Sequence, residues 1–165
     1  DFLTKDALAA IDIIKTERPE LRLRFVNIMT LSSNGLGEAG SCLTNGEFHE
    51  IFTNDQPVIC NFHGYPETLK SIIYNYSEHP KRFAIHGYCE NGSTTTPFDM
   101  HVRNKTSRYD LAIDAFERAR DLGLISYEDA ESLAIKYRNK IDENVFYIKQ
   151  NGVDLPEIDV WQWNR

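Results

Sequence analysis

Val58-Ile59-Cys60-Asn61-Phe62-His63-Gly64-Tyr65-Pro66 reads as a single structural event. Val58 to Phe62 has the make-up of a short buried strand opened by Pro57. His63-Gly64-Tyr65 is a tight loop, and Pro66 is preset for the first turn of a helix carrying Leu69, Ile72 and Ile73. The pattern recurs downstream. Phe83-Ala84-Ile85 is a second short strand, running into His86-Gly87-Tyr88-Cys89-Glu90-Asn91-Gly92-Ser93-Thr94-Thr95-Thr96-Pro97-Phe98-Asp99-Met100. Strands alternating with helices predict an α/β fold, a mostly parallel sheet with helices on both faces. Two parallel strands, each followed by a helix, put both loops on one edge of that sheet.

The rest of the chain fits this frame. Thr4 can cap a helix whose apolar positions Leu8, Ile11 and Ile14 recur at helical spacing, and Pro19 stops it. Leu21, Leu23 and Phe25 alternate with Arg22 and Arg24, and Val26 and Ile28 continue a predicted strand. Ser32 to Ser41 is glycine-rich and polar, a loop, and its Gly35 to Gly40 segment is expected to be disordered or exposed. Thr44 and Glu47 form a capping-box pattern for a short helix through Phe48 and Phe52. Thr106 or Ser107 caps a helix ended by Gly123, and Ser126 caps a last helix that stops at Gly152. No linker, repeat or low-complexity block divides the 165 residues, so one domain is expected.

Composition excludes several classes of function. The net charge of −7, with basic residues scattered among acidic ones, argues against nucleic acid as a partner. No apolar run approaches the roughly 20 residues that span a bilayer, and nothing resembles a secretion signal, so no membrane role is expected. Three cysteines (Cys42, Cys60, Cys89) without CxxC spacing suit a reduced, cytoplasmic setting, with Cys60 in the core. The start, Asp1-Phe2-Leu3-Thr4, has no initiator methionine, as expected of a piece cut from something longer.

Gly35-Leu36-Gly37-Glu38-Ala39-Gly40 is a literal G-x-G-x-x-G, but no helix follows it directly, so it lacks the context of a dinucleotide fingerprint. The five histidines show no metal-ligand spacing. His63 and His86, near the ends of two strands, make a two-histidine site conceivable. Ser93, Thr94, Thr95 and Thr96 sit beside Asp99, a combination that fixes loop shape through local hydrogen bonds. Trp161 and Trp163 in the polar tail read as a packing clamp.

At the two strand-end motifs, and onward to its end, the chain resembles the C-terminal domain of the phosphoketolases. The resemblance implies a fold like the transketolase C-terminal domain, here lacking its first strand ahead of Lys5 to Lys15. It implies membership of a thiamine-diphosphate-dependent aldehyde-lyase that splits xylulose 5-phosphate or fructose 6-phosphate with inorganic phosphate, giving acetyl phosphate and an aldose phosphate. The full-length enzyme would hold thiamine diphosphate and Mg²⁺. This chain has no Gly-Asp-Gly cofactor motif, so no cofactor, metal or catalytic residue is expected in it. The expected partners are upstream domains of the same enzyme and further copies in a homodimer or higher homo-oligomer. His63, Gly64, Tyr65, Thr94, Thr95, Thr96, Phe98 and Asp99 are the candidate interface residues. Two other readings stay open: a free-standing anion- or nucleotide-binding α/β module, and a small hydrolase using His63, His86 and Asp99.

Overall fold

The structure, a computed structural model, describes residues 2–76, 78–89, 92 and 94–163. Among these described residues, seven helices and four short strands follow in the order α1 (Phe2–Glu17), β1 (Leu31–Ser32), β2 (Gly35–Leu36), α2 (Asn45–Phe52), β3 (Val58–Phe62), α3 (Pro66–Tyr74), β4 (Phe83–Gly87), α4 (Pro97–Arg103), α5 (Arg108–Asp121), α6 (Tyr127–Asn151) and α7 (Pro156–Val160). A single 3₁₀ turn, Pro80–Arg82, leads into β4. The fold is α/β, as the sequence predicts. No helix among the described residues is long and apolar enough to cross a membrane.

β3 and β4 pair in parallel, Val58 opposite Phe83 through to Phe62 opposite Gly87. Their side chains alternate between two layers, as the twofold repeat of a strand requires. Val58, Cys60, Phe62 and Ile85 pack on a cluster built by Leu36, Phe48, Leu69, Ile72, Ile73, Tyr76 and Phe83. Asn61 and His86 point the other way: Asn61 Nδ2 donates to Leu3 O of α1 (3.1 Å), and His86 Nε2 meets Asp114 Oδ2 of α5 (2.9 Å). Helices thus cover both faces. The second core lies between the helices, where Phe98, Tyr109, Ala112, Phe116, Ala130, Tyr137 and Ile158 come together.

Several helix ends follow the capping logic of the sequence. Thr44 and Glu47 close a full capping box on α2, Ser107 and Ser126 accept from Asp110 N and Asp129 N, and Gly152 ends α6 with φ +73°. Pro66 occupies the first turn of α3. Trp161 and Trp163 stand 6.4 Å apart, and the Trp161 indole N–H donates to Asp12 of α1 (3.3 Å), which is the clamp expected of the tail.

Four expectations are corrected. Thr4 lies inside α1, which starts at Phe2, and the buried stripe is Leu3, Asp6, Ala9, Ala10 and Ile14, leaving Leu8 and Ile11 half-buried. Residues 22–30 form no strand: they run as irregular chain, because no described neighbour offers them a backbone ladder. The glycine segment is partly ordered and buried. Gly35–Leu36 pairs antiparallel with Leu31–Ser32 around a two-residue turn, and Leu36, 3% exposed, joins the core. Within Gly35 to Gly40, only Glu38 to Gly40 are exposed. Lastly, Pro97 starts α4, so the threonine loop ends in a helix at Pro97 rather than running through Asp99.

Candidate functional site

The loops after β3 and β4 meet at the carboxyl edge of the sheet. Tyr88 N donates to Phe62 O (3.1 Å), which extends the β3–β4 register by one step. A Cβ on Gly87 would stand 2.5 Å from Pro66 and 2.6 Å from Gly64 O, so only glycine permits this approach. The Tyr88 ring then links two histidines edge-on, His63 at 5.2 Å and His101 at 6.1 Å. His101 Nδ1 lies 2.5 Å from Asp6 Oδ2, and Arg108 Nε donates to Asp6 Oδ1 (2.8 Å). Asp6, His101 and Arg108 are all buried. This network joins α1, α4 and α5 behind the loops, a burial tolerable only because each charge is paired.

The threonine loop is held by two carboxylates. Thr95 Oγ1 and Arg103 Nε both donate to Asp99 Oδ2 at 2.7 Å. Asp154, just after α6, accepts from Thr96 Oγ1 (2.7 Å), Phe98 N (3.1 Å) and Asn144 Nδ2 (2.9 Å). It therefore sits at the start of α4 and ties it to α6. Cys89 N donates to Asn104 Oδ1 (2.8 Å), fastening the other end of the loop. Glu90, Asn91 and Ser93 lie outside the described residues, so the Ser93 hydroxyl is not placed.

These contacts sort the sequence candidates. His63, Tyr65 and Thr94 are exposed, Tyr65 by 62%. Gly64, Thr95 and Thr96 are half-buried. Phe98 and Asp99 are corrected: at 4% and 5% exposure they belong to the domain interior and cannot face a partner. Phe98 sits in α4's first turn, which turns it inward, edge-on to Tyr109 at 5.6 Å and under the Arg108 guanidinium at 5.4 Å. The loops do share an edge, as expected. The hydrolase trio is engaged elsewhere, His86 with Asp114 and Asp99 with Thr95 and Arg103. Sequence reasoning missed Asp6, His101, Arg108, Asn144 and Asp154. A signal existed for two of them: Asp6 and Asn144 interrupt the apolar stripes of α1 and α6 at helical spacing.

The carboxyl edge fits poorly as a seat for a diphosphate and its metal. Arg103, Lys105 and Arg108 are each paired with a carboxylate of the domain, Asp99, Asp110 and Asp6. Asp99 and Asp154 likewise accept two and three hydrogen bonds from their own surroundings.

An α/β domain with a short parallel sheet, helices on both faces and a carboxyl edge hydrogen-bonded within the domain is the class that fold and site define. The chain belongs to a known family within it: residues 1–163 match the family model described as the XFP C-terminal domain. Relatives named "Probable phosphoketolase" in Pseudomonas putida and "Probable phosphoketolase 2" in Rhizobium meliloti are 36% and 40% identical over 164 residues, 99% of this chain. One named "Probable phosphoketolase" in Bradyrhizobium diazoefficiens is 38% identical over 166 residues. The chain spans only 20% of the length of each of these relatives.

Proposed function

We propose that this chain is the C-terminal supporting domain of a thiamine-diphosphate-dependent phosphoketolase. The reaction is phosphorolytic cleavage of xylulose 5-phosphate or fructose 6-phosphate to acetyl phosphate and an aldose phosphate. The cofactor and Mg²⁺ are held by upstream domains. The role of this domain is to dock its carboxyl edge on those domains or on a second subunit of a homo-oligomer. The names of the relatives and their fivefold greater length support the enzyme assignment.

One observation carries the docking role: the edge satisfies its own charges while leaving Tyr65 exposed beside the rigid Gly64–Gly87 contact. A preorganised surface with an outward tyrosine suits an interface, since little ordering remains to be done on binding. In the full-length enzyme, Tyr65→Ala should weaken assembly, read by analytical ultracentrifugation, while kcat of the assembled form stays within about twofold, under 0.5 kcal/mol. A Tyr65→Ala enzyme that remains fully assembled while turnover collapses would move the edge into the active site.

A further inference from the structure

Between Phe98 and Ala112 the chain turns from α4 into α5, and only two of these residues are exposed, Arg103 and Lys105. The turn lies at the carboxyl edge of the sheet. Asn104 Oδ1 accepts from Cys89 N just past β4 (2.8 Å), and Thr106 O accepts from Asn61 Nδ2 of β3 (3.2 Å). Each cation is tied on its inner side to a buried carboxylate: Arg103 Nε donates to Asp99 Oδ2 (2.7 Å) and Lys105 Nζ to Asp110 Oδ1 (3.2 Å). The carboxylate side chains are both 7% exposed, those of Arg103 and Lys105 55% and 68%. A guanidinium and an ammonium each offer more N–H groups than one carboxylate oxygen takes. The terminal nitrogens of Arg103 have no partner among the described residues, so the pairs balance charge while leaving donors at the surface.

The backbone marks the same turn. Lys105 has φ +59°, in the left-handed region that favours glycine, and among the described residues only Thr53 is another non-glycine there. The ends of α5 and α6 take this conformation with Gly123 and Gly152, at φ +71° and +73°. A lysine held where glycine would sit without strain is the kind of outlier that collects at functional positions. Its pair with Asp110 is a weak reason to keep it, because exposed ion pairs contribute little and Asp110 already accepts from Ser107 Oγ (2.5 Å).

We propose that Arg103 and Lys105 form a clamp for a carboxylate, an Asp or Glu side chain on the upstream domains of the same polypeptide. The inference rests on the docking role proposed above and names the chemistry of the contact. With Asp99 and Asp110 buried beneath them, the two cations present only donors to a partner, so an acceptor is what fits against them. An incoming carboxylate completes a layer of alternating charge, whereas a basic partner would meet the positive ends of both pairs. Because each positive charge is already balanced, the spare donors suit a single carboxylate rather than a polyanion. The chain spans 20% of the length of its relatives. Covalent attachment gives carboxylates on the rest of the same polypeptide a large effective concentration over those of a second copy.

Carbodiimide cross-linking of the full-length enzyme tests the clamp, since this reagent joins a lysine amine to a carboxylate only where the two touch. Peptide mass spectrometry should find Lys105 linked to an Asp or Glu outside this domain. In a mixture of isotope-labelled and unlabelled enzyme, both linked peptides should carry the same label. Lys105→Gly suits the left-handed backbone and removes the amine, so it separates docking from folding. Hydrogen exchange over residues 64–68 and 94–99 should quicken at least about tenfold in this variant while α5 and α6 keep their protection. The clamp is overturned if Lys105 links to no carboxylate outside the domain, or if the linked peptides carry mixed labels, which would put the carboxylate on a second copy. Unchanged exchange in Lys105→Gly overturns it too, as does loss of protection in α5 and α6, which would make the lysine structural. An enzyme in which Tyr65→Ala still weakens assembly while Lys105 finds no outside carboxylate loses the clamp alone. One in which neither responds loses the docking role as well.

Discussion

Gly87 carries the closest approach between the two strand-end loops. Replacing it with alanine puts a methyl group 2.5 Å from Pro66 Cδ, against backbone and a rigid ring that cannot swing aside. We expect Gly87→Ala to lower stability by about 1–3 kcal/mol, the usual range for overpacking. Gly46→Ala serves as the control. That glycine lies in α2 with nothing nearer than Thr44 Oγ1 at 4.0 Å, so alanine should stabilise by about 0.5–1 kcal/mol. Urea midpoints of the two variants check both signs. Cys60 gives a second test at this scale. Burial against the α3 cluster pushes its thiol up to about 12, only partly offset by the positive charges of Arg118 and Arg82. The thiolate is the reactive species, so at pH 8 the native protein should alkylate at Cys42 and Cys89 and leave Cys60 unlabelled by mass spectrometry. Labelling of Cys60 at the rate of a free thiol would contradict this environment.

Among the elements, α4 depends on a residue far from it in sequence. Asp154 accepts from Phe98 N and Thr96 Oγ1 at the start of α4 and from Asn144 of α6. Asp154→Ala leaves those buried donors unmet, and we expect a loss of about 2–4 kcal/mol with α4 loosened. Asp154→Asn should recover part of it, since one carboxamide oxygen still accepts. Proteolysis at the threonine loop, compared between the variants, reads the difference. The tie between α1 and α6 brings a pH dependence. Burial alone would raise the Glu17 carboxyl, but the hydrogen bonds from Lys136 and Tyr137 outweigh it and hold the group below the usual carboxylate range. A depressed folded pKa contributes stability above the unfolded value and loses it as pH falls through the folded one. Tyr137→Phe should therefore cost about 1 kcal/mol near neutrality, and the gap to the parent should shrink in acid. These contacts also explain what the sequence could convey. Thr44 with Glu47, Pro66, Ser126 and Gly152 act within a turn of their own position, so they were legible, and so was the β3-to-α3 step. Leu21 to Ile28 has the alternation of a strand, but a strand exists only where a neighbour pairs with it. Pro97 opens a helix by the same rule as Pro66, a signal masked by the threonines before it. The Asp6–His101–Arg108 and Asn144–Asp154 networks join residues far apart in the chain, and no local pattern announces such partners.

At the scale of the whole molecule, the domain is two cores around a narrow sheet, with the buried carboxylates Asp6, Asp99 and Asp154 near the carboxyl edge already engaged by donors of the domain itself. A thiamine-diphosphate site has the opposite requirements. The diphosphate needs a metal and donors not otherwise engaged, and the ring needs a carboxylate free to activate it. Here Asp6, Asp99 and Asp154 accept two or three hydrogen bonds each from the domain itself, and Arg108 is buried in its pair with Asp6. Freeing Asp6 or Arg108 for a ligand would break a buried pair, a loss of about 3–5 kcal/mol that binding would have to offset. The separately expressed chain should therefore give no saturable heat on calorimetric titration with thiamine diphosphate and Mg²⁺, and no acetyl phosphate from either sugar phosphate. Circular dichroism of the same sample, showing the helix content of seven helices, guards against an unfolded preparation. Micromolar saturable binding to that folded chain would sink the supporting-domain reading, because it would require a cofactor seat that the carboxyl edge does not offer.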